Sequence, residues 1–248
     1  MSANPLGLHI QSASLRFEGS AASVYTDLAL ELKAGGWTCL LGPSGCGKSS
    51  LLRQLAGLIE PQHHSDLQLQ GDAPELTDQI AWMGQQDLLF PWLTVLDNVC
   101  LPQRLLMGRV NADTRARAMA LLRSLGLQGW QAHRPDALSG GMRQRVALAR
   151  TLIQDKPLVL MDEPFSALDA VSRYELQNLA AKLLSGRTVL LVTHDPQEAL
   201  RLGDRIVRFK TDPVQLQELP CPPMQPPRAL NDLGAAQQQL LDALGVAA

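Results

Sequence analysis

Apolar and polar residues alternate along LHIQSASLRF (Leu8 to Phe17) and again along DLALELK (Asp27 to Lys33). A period of two turns one side of a chain to a core and the other to water, so both stretches read as antiparallel edge strands. Gly35-Gly36 makes a turn, and WTCLL (Trp37 to Leu41) follows as an unbroken apolar run. That is the pattern of a parallel strand buried on both faces. Past a glycine-rich loop, Leu51, Leu52, Leu55, Leu58 and Ile59 recur at helical spacing, which completes a strand–loop–helix unit. From about Asn111 to Ile153 the chain reads as mostly helical, NADTRARAMALLRSLGL and GMRQRVALARTLI being parted by a loop with Pro135. Strand-sized runs return with LVLM (Leu158 to Met161), TVLLV (Thr188 to Val192) and RIVRF (Arg205 to Phe209). After His194, DPQEAL is a helix start, with Asp195 as N-cap, Pro196 in the first turn and Glu198 three residues past the cap. The pattern is an α/β core interrupted by a helical insert.

Beyond Asp212 the periodicity fades into a spacer holding Pro220, Pro222, Pro223, Pro226 and Pro227. Leu230, Leu233, Leu240, Leu241 and Leu244 then fit a last helix, which reads as packed on the core, with docking to a partner as the other reading. Composition narrows the classes. The 248 residues are 46% hydrophobic and 19% charged, ordinary for a globular protein. The formal net charge of −2, without a long basic run, gives a nucleic-acid partner no electrostatic support. No apolar run is long enough to span a bilayer, and MSANPLGLHIQ lacks the basic head and apolar stretch of a signal peptide. Cys39, Cys46, Cys100 and Cys221 are scattered without zinc-type spacing, so reduced thiols and a cytoplasmic setting are expected. Any membrane association must then come through a partner.

The loop after the first buried strand is GPSGCGKS, Gly42-Pro43-Ser44-Gly45-Cys46-Gly47-Lys48-Ser49, with Ser50 following. It fits the phosphate-loop pattern between the strand and helix that pattern requires. Its glycines let backbone N–H groups turn inward on a β-phosphate, Lys48 supplies a point charge, and Ser49 offers a hydroxyl to Mg²⁺. LVLMDEP ends a buried strand in Asp162, a carboxylate at the edge of the sheet where ligands bind, and Glu163 is placed to polarise a water. DALSGGMRQR (Asp136 to Arg145) is a second phosphate-suited feature, a serine and two glycines opening a helix. It has no lysine or metal ligand of its own and suits a clamp better than a pocket.

The phosphate loop, LSGGMRQR, LMDEP, SALD (Ser166 to Asp169) and THD (Thr193 to Asp195) resemble, in this order, the motifs of ATP-binding-cassette ATPases over roughly Leu8 to Phe209. The resemblance implies a RecA-like core with an antiparallel β-subdomain (about 1–86 and 154–211), an inserted helical subdomain (about 87–153) and a 212–248 tail. It makes Gln85, with Gln86 as the neighbouring candidate, the glutamine that senses Mg²⁺ and γ-phosphate, although Gly84 stands where such proteins often carry an aromatic. It makes His194 the switch histidine, Phe17 the aromatic on adenine with Tyr25 as the fallback, and Asp169 the acid that communicates between protomers. Two chains would pair head to tail, Lys48 of one facing Ser139, Gly140 and Gly141 of the other. Phe90 and Trp92 in LLFPWLTVLDNV would meet an integral-membrane permease at the cytoplasmic face of a bacterial inner membrane, served by an extracytoplasmic binding protein. Importers of nitrate, sulfonate or taurine, and thiamine or pyrimidine precursors are most similar. The other readings are an exporter or lipid-extracting ATPase, or a soluble cassette protein acting on DNA or ribosomes.

Overall fold

The structure is a computed structural model that describes residues 4–60, 62–70, 76–211 and 214–244. The first three residues and positions 212–213, where the spacer was expected to begin, lie outside the described residues. In chain order the elements are β1 (Leu8–Arg16), β2 (Leu30–Leu32), β3 (Trp37–Leu41), α1 (Lys48–Leu55), β4 (His64–Leu69), β5 (Ile80–Met83), α2 (Val95–Met107) and α3 (Ala112–Ser124). There follow α4 (Gly140–Leu152), β6 (Leu158–Asp162), α5 (Ala170–Leu183), β7 (Thr188–Thr193), α6 (Pro196–Leu202), β8 (Arg205–Thr211), β9 (Val214–Leu219) and α7 (Gly234–Leu244). They form an α/β fold with a three-stranded antiparallel sheet, β2-β1-β4, and a six-stranded sheet, β5-β6-β7-β3-β8-β9.

β3, β5, β6, β7 and β8 run parallel, which explains the unbroken apolar runs. Alternate residues go to opposite faces. Leu40, Leu160, Leu190 and Val207 share one core with α1 and the small sheet, while Cys39, Met161, Leu191 and Ile206 share the other with α4 and α6. The pairings Met83↔Met161, Asp162↔Val192 and Leu41↔Thr193 bring the carboxyl ends of β5, β6, β7 and β3 to one edge. The loops with the phosphate-loop residues, Gln85, Glu163 and His194 leave from that edge, whereas Ser139 and its glycines open α4 beyond α3 and Phe17 follows β1 in the other sheet.

Several expectations change. β1 is not an edge strand but the centre of its sheet, paired with β2 on one side and β4 on the other. β4, with a largely exposed HSDLQL sequence, supplies the partner that alternation alone did not mark. β9 pairs antiparallel with β8 inside the stretch read as a proline-rich spacer. The proline segment after it is anchored by Arg228, whose buried guanidinium donates to the carbonyls of Leu200 (2.6 Å), Gly203 (2.8 Å), Pro222 (2.8 Å) and Met224 (2.8 Å). The first two satisfy the end of α6, where carbonyls lack partners within the helix. Leu233 and Leu240 are buried in the core shared with α6, so α7 packs on the protein as expected.

The helix starts follow side-chain capping. Thr94, Asn111, Ser139, Asp169 and Asp195 each accept a backbone N–H at the start of α2 to α6. α1 is different: its N-cap is Gly47, which has no side chain to offer.

Candidate active site

Gly45 (φ +79°) and Gly47 (φ +110°) hold the left-handed conformations that bend the loop after β3. At Gly47 a Cβ would also stand 2.8 Å from Val24 Cγ1, so glycine is required there twice over. The Lys48 ammonium lies under the loop, donating to the carbonyls of Gly42 (2.7 Å) and Pro43 (2.8 Å). The Ser49 hydroxyl donates to Asp162 Oδ1 at 2.7 Å. Burial pushes the Asp162 carboxyl above its ordinary range, an effect only partly offset by the Ser49 bond. A cation beside it would reverse that shift. Ser44, Gly45, Gly47, Lys48, Ser49, Ser50, Gln85, Asp162 and Glu163 line one cleft of about 290 Å³.

Glu163 carries a positive φ of 47°, uncommon for a residue with a Cβ. Its N–H donates to the Val192 carbonyl at 2.9 Å. The side chain crosses to the residue after β7, where Oε2 meets His194 Nδ1 at 2.9 Å. A carboxylate only accepts, so Nδ1 carries the proton in this contact. Strain of this kind collects at functional sites and is held in place by its surroundings.

Gln85 reaches the phosphate-loop cleft, whereas Gln86 lines only a neighbouring one with Asp87, Leu88, Gly140, Arg143, Gln144, Ala167 and Leu168. Phe17 is 40% exposed and rests edge-on against His63, their centroids 5.0 Å apart. Tyr25, the fallback for adenine, is 1% exposed and hydrogen-bonds Gln54 at 3.1 Å, so it is core and cannot stack on a ligand. Cys46 is buried in the loop, 3.8 Å from the Lys48 amine. Ser139 and Gly140 are exposed at the start of α4, and neither lines the cleft of Lys48. Asp169 is exposed too, and N–H bonds from Ser172 and Val171 hold its carboxyl below the usual range. Phe90 and Trp92 lie on the surface, ring against ring at 5.0 Å.

Sequence reasoning missed the groups that hold the Gln85 loop. Gln144 donates to the Gln85 carbonyl at 3.0 Å, Arg143 pairs with Asp87 at 3.1 Å, and Arg150 donates to the carbonyls of Asp87 and Leu88. Asn98, fully buried, bonds both backbone groups of Phe90 and so presents the Phe90–Trp92 turn. A polar side chain on the inward face of a helix was the available signal.

Glu198 also differs from expectation. Asp195 caps α6 as read, but Glu198 does not fold back to the cap; it is buried and accepts from Gln177 Nε2 at 2.8 Å. Burial raises its pKa from 4.5 to about 7. The folded chain therefore keeps a proton between those values that the unfolded chain loses, so stability falls as pH rises from 4.5 through 7. Glu198→Gln keeps the shape without the charge. Thermal unfolding of the variant is expected to lose that slope, and at pH 8 to gain up to about 3 kcal/mol over the parent. A parent with no slope in this window would contradict the assignment.

Known proteins resemble this chain in sequence and in fold. Residues 25–166 match the profile of the family described as ABC transporter. An uncharacterized ABC transporter ATP-binding protein of Haemophilus influenzae is 48% identical over 96% of this chain and 98% of its own. The aliphatic sulfonates import ATP-binding protein SsuB 1 of Rhodococcus jostii is 41% identical over 97% of this chain and 94% of its own. Among solved structures, a dimeric ATP-binding cassette in a post-hydrolysis state with ADP and Pi superposes with a TM-score of 0.70 at 31% identity, over 90% of this chain and 100% of its own. The chain belongs to the ABC transporter family, as an ATP-binding ATPase subunit.

Proposed function

We propose that the chain pairs head to tail with a second copy, closes on ATP between them, and powers a membrane permease that imports a small sulfonate such as taurine. The observation that carries the dimer is the placement of the two phosphate-suited features. Lys48, Ser49, Asp162 and Glu163 share one cleft, whereas Gly140 faces another and leaves its helix start open to an incoming phosphate. The sulfonate reading is supported by the likeness to a sulfonate importer along nearly the whole chain.

Within the site, Lys48 and the N–H groups at the uncapped start of α1 hold the β- and γ-phosphates. Ser49, Asp162 and Gln85 present hard oxygens of the kind Mg²⁺ takes, two of them 2.7 Å apart, and would hold that ion. Bound there, Mg²⁺ would neutralise charge on the phosphate oxygens. Glu163 accepts the proton of the attacking water, and His194, steered by its Nδ1 contact, turns Nε2 toward the γ-phosphate. Donation from both nitrogens at once requires the imidazolium. Phe17 stacks on adenine, and Ser139, Gly140 and Gly141 of the second copy close over the γ-phosphate. Asp169 meets that copy beside them.

In this reading residues 87–153 act as a helical subdomain on a core of 1–86 and 154–211, with 212–248 as a tail. Phe90 and Trp92 give an aromatic pair on the surface of the helical part, a form suited to a permease helix at the inner face of the membrane. Among the described residues no helix is long and apolar enough to cross a membrane itself. The test is uptake of radiolabelled taurine and longer alkanesulfonates by a deletion strain carrying the parent gene or its Glu163→Gln form. The parent is expected to restore uptake and the variant not to. Equal uptake with and without the gene would refute the sulfonate assignment.

A further inference from the structure

One side chain ties the loop that ends in Asp169 to the helix start that follows His194. Arg173, in the first turns of α5, donates from Nη2 to the Leu168 carbonyl at 3.0 Å. Its Nη1 lies 3.6 Å from Asp195 Oδ2. Asp195 uses its other oxygen to cap α6, accepting the Gln197 N–H at 2.9 Å, and its own N–H donates to Thr193 Oγ1 at 3.0 Å. Its neighbour is His194, in contact with Glu163. Glu163 opens the loop, its carbonyl accepting the Ser166 hydroxyl at 2.9 Å. The contacts close a ring from Glu163 through Leu168, Arg173, Asp195 and His194 back to Glu163.

The ring borders a cleft of about 290 Å³ lined by Glu163, Ser166, Arg173, Thr193, His194 and Glu198, among others. Arg173 Nε is buried with no hydrogen-bond partner among the described residues. The guanidinium is thus placed to span two segments rather than to satisfy all of its own donors. A planar fork can do this, and the single ammonium of lysine cannot hold both acceptors in the same geometry. The ion pair itself is about one-third exposed on each side, at 35% and 30%, so it contributes little to folding.

We propose that Arg173 is a positioning residue that makes the alignment of His194 on Glu163 depend on where the Asp169 loop sits. The proposal rests on the reading of the chain as a head-to-tail ATPase dimer. A second protomer pressing on exposed Asp169 shifts the Leu168 carbonyl one residue away, and the Arg173 fork carries that shift to Asp195 and His194. Hydrolysis then waits on dimer closure, while nucleotide binding, made by Lys48 and the phosphate loop, does not.

Steady-state ATP hydrolysis by the full chain tests this, with Arg173→Ala, Arg173→Lys, Asp195→Asn and the Ala/Asn double variant. Asparagine caps a helix as well as aspartate, so Asp195→Asn removes the charge and keeps α6. Arg173→Ala is expected to lower kcat by about ten- to a hundredfold, with KM for ATP within about twofold, because alignment and not binding is lost. Arg173→Lys should regain part of the rate. The double variant should be no slower than the slower single, since both break one link. In a Glu163→Gln background, Arg173→Ala should still dimerise on ATP. The proposal fails if Arg173→Ala keeps the parental kcat, if the two single effects multiply, or if KM rises and melting temperature falls along with kcat. A parent chain that hydrolyses no ATP overturns the functional reading and this proposal with it, whereas an active parent with an unaffected Arg173→Ala variant overturns the proposal alone.

Discussion

Glu163→Gln is expected to reduce ATP hydrolysis by about a hundred- to ten-thousandfold, the span that general-base catalysis contributes. The substitution keeps the size and shape of the side chain and removes its ability to take a proton from water. The backbone at this position is held at φ +47° by the Val192 carbonyl, a constraint that glutamine meets as well as glutamate. His194 Nδ1 can still donate to the amide oxygen. Folding and nucleotide binding should therefore persist while turnover stops, and the ATP-bound dimer should accumulate. Size-exclusion chromatography with and without ATP reads the dimer, and phosphate release reads the rate. Hydrolysis at the parental rate would remove Glu163 from the role of base.

Two variants that are each inactive are expected to restore activity when mixed. Lys48→Ala removes the ammonium that sits beneath the phosphate loop. Gly140→Asp puts a carboxylate at the start of α4, where an added Cβ meets nothing closer than an Arg143 nitrogen at 3.9 Å. Within the chain that carboxylate stabilises the helix by about 0.3–1 kcal/mol, while against an incoming γ-phosphate it repels. The neighbouring Gly141 is a poorer probe, because a Cβ there would press on Ser172 at 3.3 Å. Each variant alone should hydrolyse ATP at about a hundredth of the parental rate or less, a loss of the size seen when one charge-stabilising group is removed. In a mixed dimer, one site combines an intact Lys48 with an intact Gly140 from the other chain. Random pairing makes half the dimers mixed with one good site each, so the mixture should reach at most about a quarter of the parental rate. If Gly140→Asp alone stays active, or if the mixture is no better than its parts, the site is not shared between chains.

Which parts of this site could be read from residue order, and which not, follows from the range of the interactions. The phosphate loop and the Asp162-Glu163 pair were legible because strand, loop and helix lie side by side in the chain, and glycine at Gly45 and Gly47 answers to local backbone angles. The caps at Ser139, Asp169 and Asp195 were equally local. Tyr25 and Phe17 could not be told apart in this way. Both are aromatic residues near the amino terminus, and only the fold, which bridges Tyr25 to Leu15 and sets it over α1, buries the one against Gln54 and leaves the other at the surface. β9 escaped notice although VQLQEL alternates, since its claim to be a strand depends on β8 beside it. Glu198 looked like half of a capping box and is instead turned inward to Gln177, twenty-one residues away.

Residue order alone therefore pointed to the family and the nucleotide, and it marked two separated glycine-rich helix starts suited to phosphate, all of which rest on contacts within a few positions along the backbone. The distances that make a mechanism came from the fold: His194 on Glu163, Ser49 on Asp162, and Arg173 between Leu168 and Asp195. Each joins segments brought together by parallel strands whose order in the sheet is not their order in the chain. Long-range pairing sets that order, and no short stretch of sequence contains it.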